Sequence, residues 1–273
     1  MVRRRGDARP LGRAAGWARE LARLVVPVAC AGCGLPDVRC CPACAAPLAG
    51  VPRRVEDAAP RLDRLDGVEP LPVWALAPYA GEVRELVVGW KDRGRVDLDR
   101  LLVPAVRRAA GAVAGPVAAA ARGAPVLVVP APSTAAARRA RGREHVVVLA
   151  GAVAQGLRDA GVPAHVVRAL GRRGHSRDQV GLGARARGRN LATGVVVHRR
   201  ASAEVASGAV CLLVDDVVTT GATLASAERA LEAAQAEVVA ALVVAATPPP
   251  GRPATPVEAA TPSVYPGHRE GLA

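Results

Sequence analysis

Between Trp74 and Ala246, short unbroken apolar runs alternate with amphipathic stretches. The runs "PVLVVPAP" (125–132), "AHVVRAL" (164–170), "GVVVHR" (194–199), "AVCLLVDD" (209–216) and "EVVAALVVAA" (237–246) are rich in valine. Continuous apolar strands of this length predict burial on both faces of a sheet. Residues 82–92, 97–121 and 143–159 read as helices, and Leu224, Ala227, Leu231 and Ala234 form one face of another. Strands separated by helices predict an α/β fold with a parallel sheet covered on both sides.

The flanks differ. Residues 1–12 read as disordered and 13–50 as a helix followed by a cysteine-rich segment. Ala14, Trp17, Leu21 and Leu24 recur at helical spacing beside Arg13, Arg19 and Arg23, which predicts a helix packed on its own domain or lying on a membrane surface or partner. Residues 51–72 are rich in proline and charge and read as linker or irregular strand, so 51–122 is expected to be linker plus a helical hood. The core is expected over 123–246. The tail, 247–273, holds "TPPPGRPATP" and reads as disordered. No run reaches the ~18 apolar residues of a membrane span. The N-terminal apolar stretch is broken by Arg19, Glu20 and Arg23, so a cytoplasmic chain is expected.

Composition changes this picture in one respect. The net charge is +13, carried by arginine with Lys91 as the only lysine, and there is no phenylalanine. Such a chain attracts polyanions: nucleic acid, anionic membrane or phosphorylated ligands.

The densest chemistry is at 211–224, "CLLVDDVVTTGATL". An apolar strand runs onto Asp215 and Asp216, and a turn of Thr219, Thr220, Gly221, Ala222 and Thr223 opens a helix. In open α/β sheets, ligands bind outside the carboxyl ends of strands. Free N–H groups at a helix start, with threonine hydroxyls beside them, suit a phosphate monoester. Ionised carboxylates repel phosphate but accept from hydroxyls. The pair Asp215 and Asp216 is therefore expected to hold a ribose while 219–223 hold its 5′-phosphate. An ATPase-type strand would need a Gly-rich loop ending in Lys-Ser or Lys-Thr, and the sole lysine sits in "GWKDRG".

Cys30-x-x-Cys33 and Cys41-x-x-Cys44 have the spacing of paired hooks on one tetrahedral Zn²⁺, with Cys40 an alternative third ligand. Four thiolates would close the coordination sphere, so the metal would be structural. Disulfides are the rival pairing, and a cytoplasmic chain disfavours them. Cys211 lies in a strand and reads as packing.

Residues 213–224, "LVDDVVTTGATL", resemble throughout the phosphoribosyl-pyrophosphate (PRPP) motif of type I phosphoribosyltransferases. Over roughly residues 20–246 the chain is similar to the ComF family, which is associated with DNA uptake by competent bacteria. The resemblance rests on the four cysteines; Tyr79, Gly81, Lys91 and Gly94; Val129, Pro130 and Pro132; Arg141 and Gly142; Gln179, Gly181 and Leu182; and Arg187 and Asn190. It departs at "RGREHV", where Glu144 and His145 replace the family's Asn-Gln pair. It implies a type I phosphoribosyltransferase-like parallel sheet flanked by helices, with a small N-terminal four-cysteine zinc segment. It also implies that Ser133, Thr134, Arg138, Arg139, Arg141 and Arg143 face a pyrophosphate. The segment 171–190, with Gln179 and Arg187, would be a lid over it. Mg²⁺ would accompany PRPP, and Asp215 and Asp216 would serve as catalytic carboxylates. The implied function is phosphoribosyl binding or transfer in DNA uptake or nucleotide metabolism, with DNA-uptake proteins as partners. The alternative is a non-catalytic binder of single-stranded DNA, in which Trp74, Trp90 and Tyr79 offer little stacking surface.

Overall fold

A computed structural model describes residues 28–64, 67–133, 142–172, 194–206 and 208–249. The expected disordered start, the N-terminal helix, residues 134–141, nearly all of the lid and the tail from 250 onward lie outside the described residues. The fold is mixed α/β, with a mostly parallel sheet flanked by helices. Strands β1 (Arg53–Arg54), β2 (Val73–Pro78), β3 (Val126–Pro130), β4 (Ala164–Val166), β7 (Val210–Val218) and β8 (Glu237–Ala246) form one six-stranded sheet. Its order is β1-β2-β8-β7-β3-β4, and only the short β1 runs antiparallel to its neighbour. Strands β5 (Leu170–Arg172) and β6 (Val195–Val197) pair antiparallel in a separate ribbon that brackets residues 173–193.

Helices α1 (Pro42–Ala45), α2 (Gly81–Asp92), α3 (Asp99–Ala112), α4 (Ala114–Ala121), α5 (His145–Asp159) and α6 (Ala222–Glu232) complete the described elements. Leu86, Trp90, Leu102, Val117, Leu149 and Leu157 from α2–α5 are buried in one cluster with Val126, Leu212 and Val239 of the sheet. Leu224, Ala227 and Leu231 of α6 share a second cluster with Leu213, Val243, Ala59, Leu62 and Leu71. Each fully buried side chain of this size contributes about 1.5–3 kcal/mol.

Three expectations need correction, and a fourth is decided between its alternatives. The helix predicted over 97–121 breaks at Val113 into α3 and α4, bent by 55°. Pro116 cannot donate to the carbonyl of Ala112, so the ladder stops there. No single helix among the described residues is long and apolar enough to cross a membrane. The strand predicted over 164–170 divides: β4 ends at Val166 and the chain leaves the main sheet for β5. The run predicted to end at Asp216 continues to Val218, because β8 pairs alongside through Val217↔Ala245 and Val218↔Ala246. Residues 51–72, expected as linker or irregular strand, hold the two-residue strand β1 and are packed rather than free. Arg53 and Arg54 pair with Ala75 and Trp74, and Ala59, Leu62 and Leu71 are buried against α6 and β7. The adjoining strand β2, which the pattern left unassigned, lies beside β8.

Candidate functional site

The site forms where the sheet reverses its winding. From β3 the chain passes through α5 to β4 on one side, and later returns as β7 on the other. The carboxyl ends of β3 and β7 therefore flank a crevice, the usual place for a ligand in such sheets. The loop after β3 starts in register with β7: the Ala131 N–H donates to the Val214 carbonyl at 2.8 Å. Ser133 follows two residues later and is half-buried.

After β7, Thr219 and Thr220 turn the chain into α6. Gly221 stands at the helix start with φ 81°, in the left-handed region. A Cβ there would fall 2.7 Å from Leu62 Cγ and 3.2 Å from Ala59 Cβ, so both conformation and space require glycine. The segment 59–62 thus supports the turn from outside. The Arg61 N–H adds a hydrogen bond of 2.9 Å to the Thr220 carbonyl. The Ala222 N–H donates to Thr220 Oγ1 at 3.4 Å, and Ser226 Oγ donates to the Ala222 carbonyl at 2.8 Å. Asp215 and residues 217–224 line a small cavity of about 50 Å³. That is far below the ~300–1,000 Å³ of drug-sized sites and leaves room for a phosphate-sized group, with the crevice outside it open to the rest of a ligand. The first N–H groups of α6 and the positive end of its dipole lie at this cavity.

The two aspartates part company. Successive side chains of a strand point to opposite faces. Asp215 lines the cavity together with the threonine turn. Asp216 points away from it and is buried against Lys91 of α2, whose Nζ lies 2.7 Å from Oδ2 and 2.9 Å from Oδ1. The Asp216 N–H donates to Asp215 Oδ1, and the Val217 N–H to Asp216 Oδ1, each at 2.8 Å. Asp215 keeps part of its surface open to the crevice but has protein on its other sides. Burial first, and then the like charge of Asp216, push its carboxyl up to about 7, against the pull of the Asp216 N–H, Lys91 and Arg172.

Trp90, the residue before Lys91, is held by its neighbours. Trp90 Nε1–H donates to Asp99 Oδ1 at 2.6 Å, and Arg143 Nη2–H reaches the same oxygen at 2.6 Å. Burial alone would push the Asp99 carboxyl up, but these two donors outweigh it and hold it below the usual range. His145 Nε2 lies 3.0 Å from the Trp90 carbonyl, and its ring meets the Trp90 ring edge-on at 4.8 Å. A carbonyl only accepts, so Nε2 carries a proton. Glu144 pairs with Arg168. Where the sequence departs from the ComF pattern, then, Glu144 and His145 join α5 to its surroundings.

Of the residues expected at the pyrophosphate, Ser133 and Arg143 are described, and Arg143 is committed to Asp99 and the Trp90 ring rather than free for a pyrophosphate; Thr134, Arg138, Arg139, Arg141, Gln179 and Arg187 lie outside the described residues. Arg172, at the end of β5, was expected only as one arginine of the segment 171–190. Its Nε–H donates to the Pro132 carbonyl at 3.2 Å, and its charge acts on Asp215. Lys91 was noticed as a motif residue, but nothing local connects it to an aspartate 125 residues away.

At the N-terminal end, the sulfur atoms of Cys30, Cys33, Cys41 and Cys44 all lie within 4.8 Å of one another, and Cys40 stays outside the group. A tetrahedral Zn²⁺ with Zn–S of ~2.3 Å sets sulfurs ~3.8 Å apart, and Cys33 and Cys41 are 3.7 Å apart. The cluster is compatible with a structural zinc. Burial pushes the Cys30 thiol up, but the N–H groups of Cys33, Cys41 and Gly32 outweigh it and bring it down to about 6. Cys40 is pushed up to about 11 by burial and the neighbouring sulfurs. The knuckle docks on the core: Arg95 donates to the carbonyls of Ala29 and Arg39 at 3.1 Å each, and its own fork is held by Asp97. Cys211 is buried in β7, where desolvation pushes its thiol up to about 12.

No curated protein matches the chain. Residues 146–258, from α5 through β7, the threonine turn, α6 and β8, match the family model of the phosphoribosyl transferase domain, which supports a type I phosphoribosyltransferase-like reading of this α/β fold.

Proposed function

We propose that the crevice binds the ribose 5-phosphate portion of PRPP and that the chain acts on, or is regulated by, that phosphoribosyl group. The observation that carries this reading is the cavity shared by Asp215 and the turn 217–224 at the carboxyl end of β7. The turn Thr219–Thr223 takes the 5′-phosphate through N–H groups and hydroxyls. Asp215 accepts from a ribose hydroxyl. Ser133 and Arg172 lie on the side where the pyrophosphate would leave, and the arginine-rich segment 173–193 is attached to β5 and β6 at its base. Bound Mg²⁺ would neutralise pyrophosphate charge. The chain's own contribution is to hold the sugar so that departure at C1 proceeds in a fixed geometry.

Titration calorimetry with PRPP and MgCl₂ tests this. Saturable binding by the natural chain, weakened at least about tenfold by Asp215→Ala, supports it; a hydrogen bond to a charged group is worth ~1.5–3 kcal/mol. A natural chain that binds neither PRPP nor ribose 5-phosphate refutes it. Pyrophosphate release with a panel of nucleobases then separates a transferase from a sensor.

The resemblance to the ComF family favours a role in DNA uptake, in the cytoplasm, where thiolates stay reduced for a metal. Binding of single-stranded DNA is a second reading, favoured by the net charge of +13. Trp74 and Trp90 are 1% and 0% exposed, so neither can stack on a base. Such binding would be backbone electrostatics and would fall steeply with salt. Retention of single-stranded DNA that does not respond to salt would contradict that mode.

A further inference from the structure

Both oxygens of Asp216 are taken up inside the protein. Lys91 Nζ reaches Oδ2 at 2.7 Å and Oδ1 at 2.9 Å, and Oδ1 also accepts from the Val217 N–H at 2.8 Å. The carboxylate is 5% exposed and the lysine 28%, so the pair is shielded on the aspartate side and touches solvent through the lysine. Strand alternation directs Asp216 to the face of the sheet that carries α2, away from the threonine turn that shares a cavity with Asp215.

Lys91 is also the chain's only lysine, and it is aimed by rigid neighbours. The preceding residue, Trp90, is fully buried, with its indole fixed by Asp99 and its carbonyl by His145. Arg143, whose guanidinium is stacked over the Trp90 ring at 5.7 Å, closes the same cluster. A side chain on a helix pinned in this way holds its partner to one geometry.

Resting on the reading of the crevice given above, we infer that Lys91 is a positioning residue: by holding and neutralising Asp216 from the far face of the sheet, it leaves Asp215 as the single carboxylate that accepts from the sugar hydroxyls. The adjacent aspartates then have different jobs. Asp215 touches ligand. Asp216 serves as the seat for Lys91, and the lysine in turn offsets a negative charge that would otherwise stand one residue from the acceptor. The charged groups that act on Asp215 are Asp216 on its own strand, Lys91 from α2 and Arg172 from β5. The other lining of the cavity, from β7, the turn and α6, is threonine, glycine and apolar side chains.

The test is the pH dependence of ribose 5-phosphate affinity between pH 5 and 9, by calorimetry, for the natural chain, Lys91→Met, Lys91→Arg, Asp216→Asn and Asp215→Asn. The ligand's own phosphate titrates identically in every arm. Removing a cation from a carboxylate pair raises the remaining titration by roughly one unit or more. Lys91→Met therefore moves the midpoint of binding upward by about one unit, which is about fivefold in affinity at pH 7 and approaches tenfold at pH 5. Lys91→Arg restores most of it. Asp216→Asn removes the like charge, so its midpoint moves downward and it still binds at pH 7, whereas Asp215→Asn loses at least about tenfold. Thermal midpoints of each variant separate folding from binding. The inference is overturned if Lys91→Met binds with an unshifted pH profile, or if Asp216→Asn loses ligand as completely as Asp215→Asn. A natural chain that shows no ribose 5-phosphate binding at all overturns the reading of the crevice, and this inference with it.

Discussion

Replacing Asp215 by asparagine should stabilise the fold at alkaline pH and do so less in acid. The carboxyl is raised from the ordinary 3.8 to about 7, chiefly by burial and by Asp216. The folded chain thus holds this proton more tightly than the unfolded chain. The stabilisation linked to that proton is full below pH 3.8 and is lost as pH rises through about 7. Three units at 1.36 kcal/mol each would cost about 4 kcal/mol once the group is ionised. Part of the carboxyl faces the crevice, and solvent there trims the figure to about 1–3 kcal/mol. Asparagine removes the charge yet keeps an oxygen for the Asp216 N–H, now met at 2.8 Å. Urea unfolding of both chains at pH 5 and pH 8, with zinc in excess, measures the effect. Comparing variant with natural chain at each pH cancels the response of the cysteines and the other carboxylates. About 60% of that effect develops between pH 5 and pH 8, so the variant should gain about 0.5–2 kcal/mol more at pH 8 than at pH 5. A difference that is the same at both values, or a variant that is less stable at pH 8 than the natural chain, would refute the reasoning.

Two further predictions concern the turn and the metal. Gly221→Ala combines a left-handed φ with a Cβ 2.7 Å from Leu62 Cγ, so it should cost roughly 2–4 kcal/mol in urea unfolding; an unchanged midpoint would contradict the packing described for residues 59–62. Elemental analysis should find one zinc per natural chain and per Cys40→Ser chain, while Cys44→Ser loses the metal and unfolds at a lower temperature; loss of zinc from Cys40→Ser would contradict the four-cysteine grouping.

The sequence was informative where burial is uniform. The run 237–246 matches β8 residue for residue, because after Glu237 at its edge a central strand shows only apolar side chains on both faces. The threonine turn was legible for a similar reason: local chain chemistry alone specifies a strand, a tight turn and a helix start. The segment 51–72 could be read only as linker or irregular strand, because Ala59, Leu62 and Leu71 stand among prolines and charges with no period. Strand β2 was missed because Pro72 and Pro78 punctuate it, and its partner β8 lies far along the chain. The parting of Asp215 and Asp216 depends on β7 continuing past them, which pairing with β8 decides. Lys91 and Arg172 meet the crevice only through tertiary structure, so no spacing rule could announce them.

The most direct test of the account is a crystal structure with ribose 5-phosphate bound. The phosphate oxygens should lie within hydrogen-bonding distance of the N–H groups of Thr219–Thr223, with a ribose hydroxyl on Asp215 and Asp216 still paired to Lys91. A phosphate seated elsewhere, such as the groove beside Arg107 and Arg108 between α3 and α5, with the threonine turn empty, would contradict it.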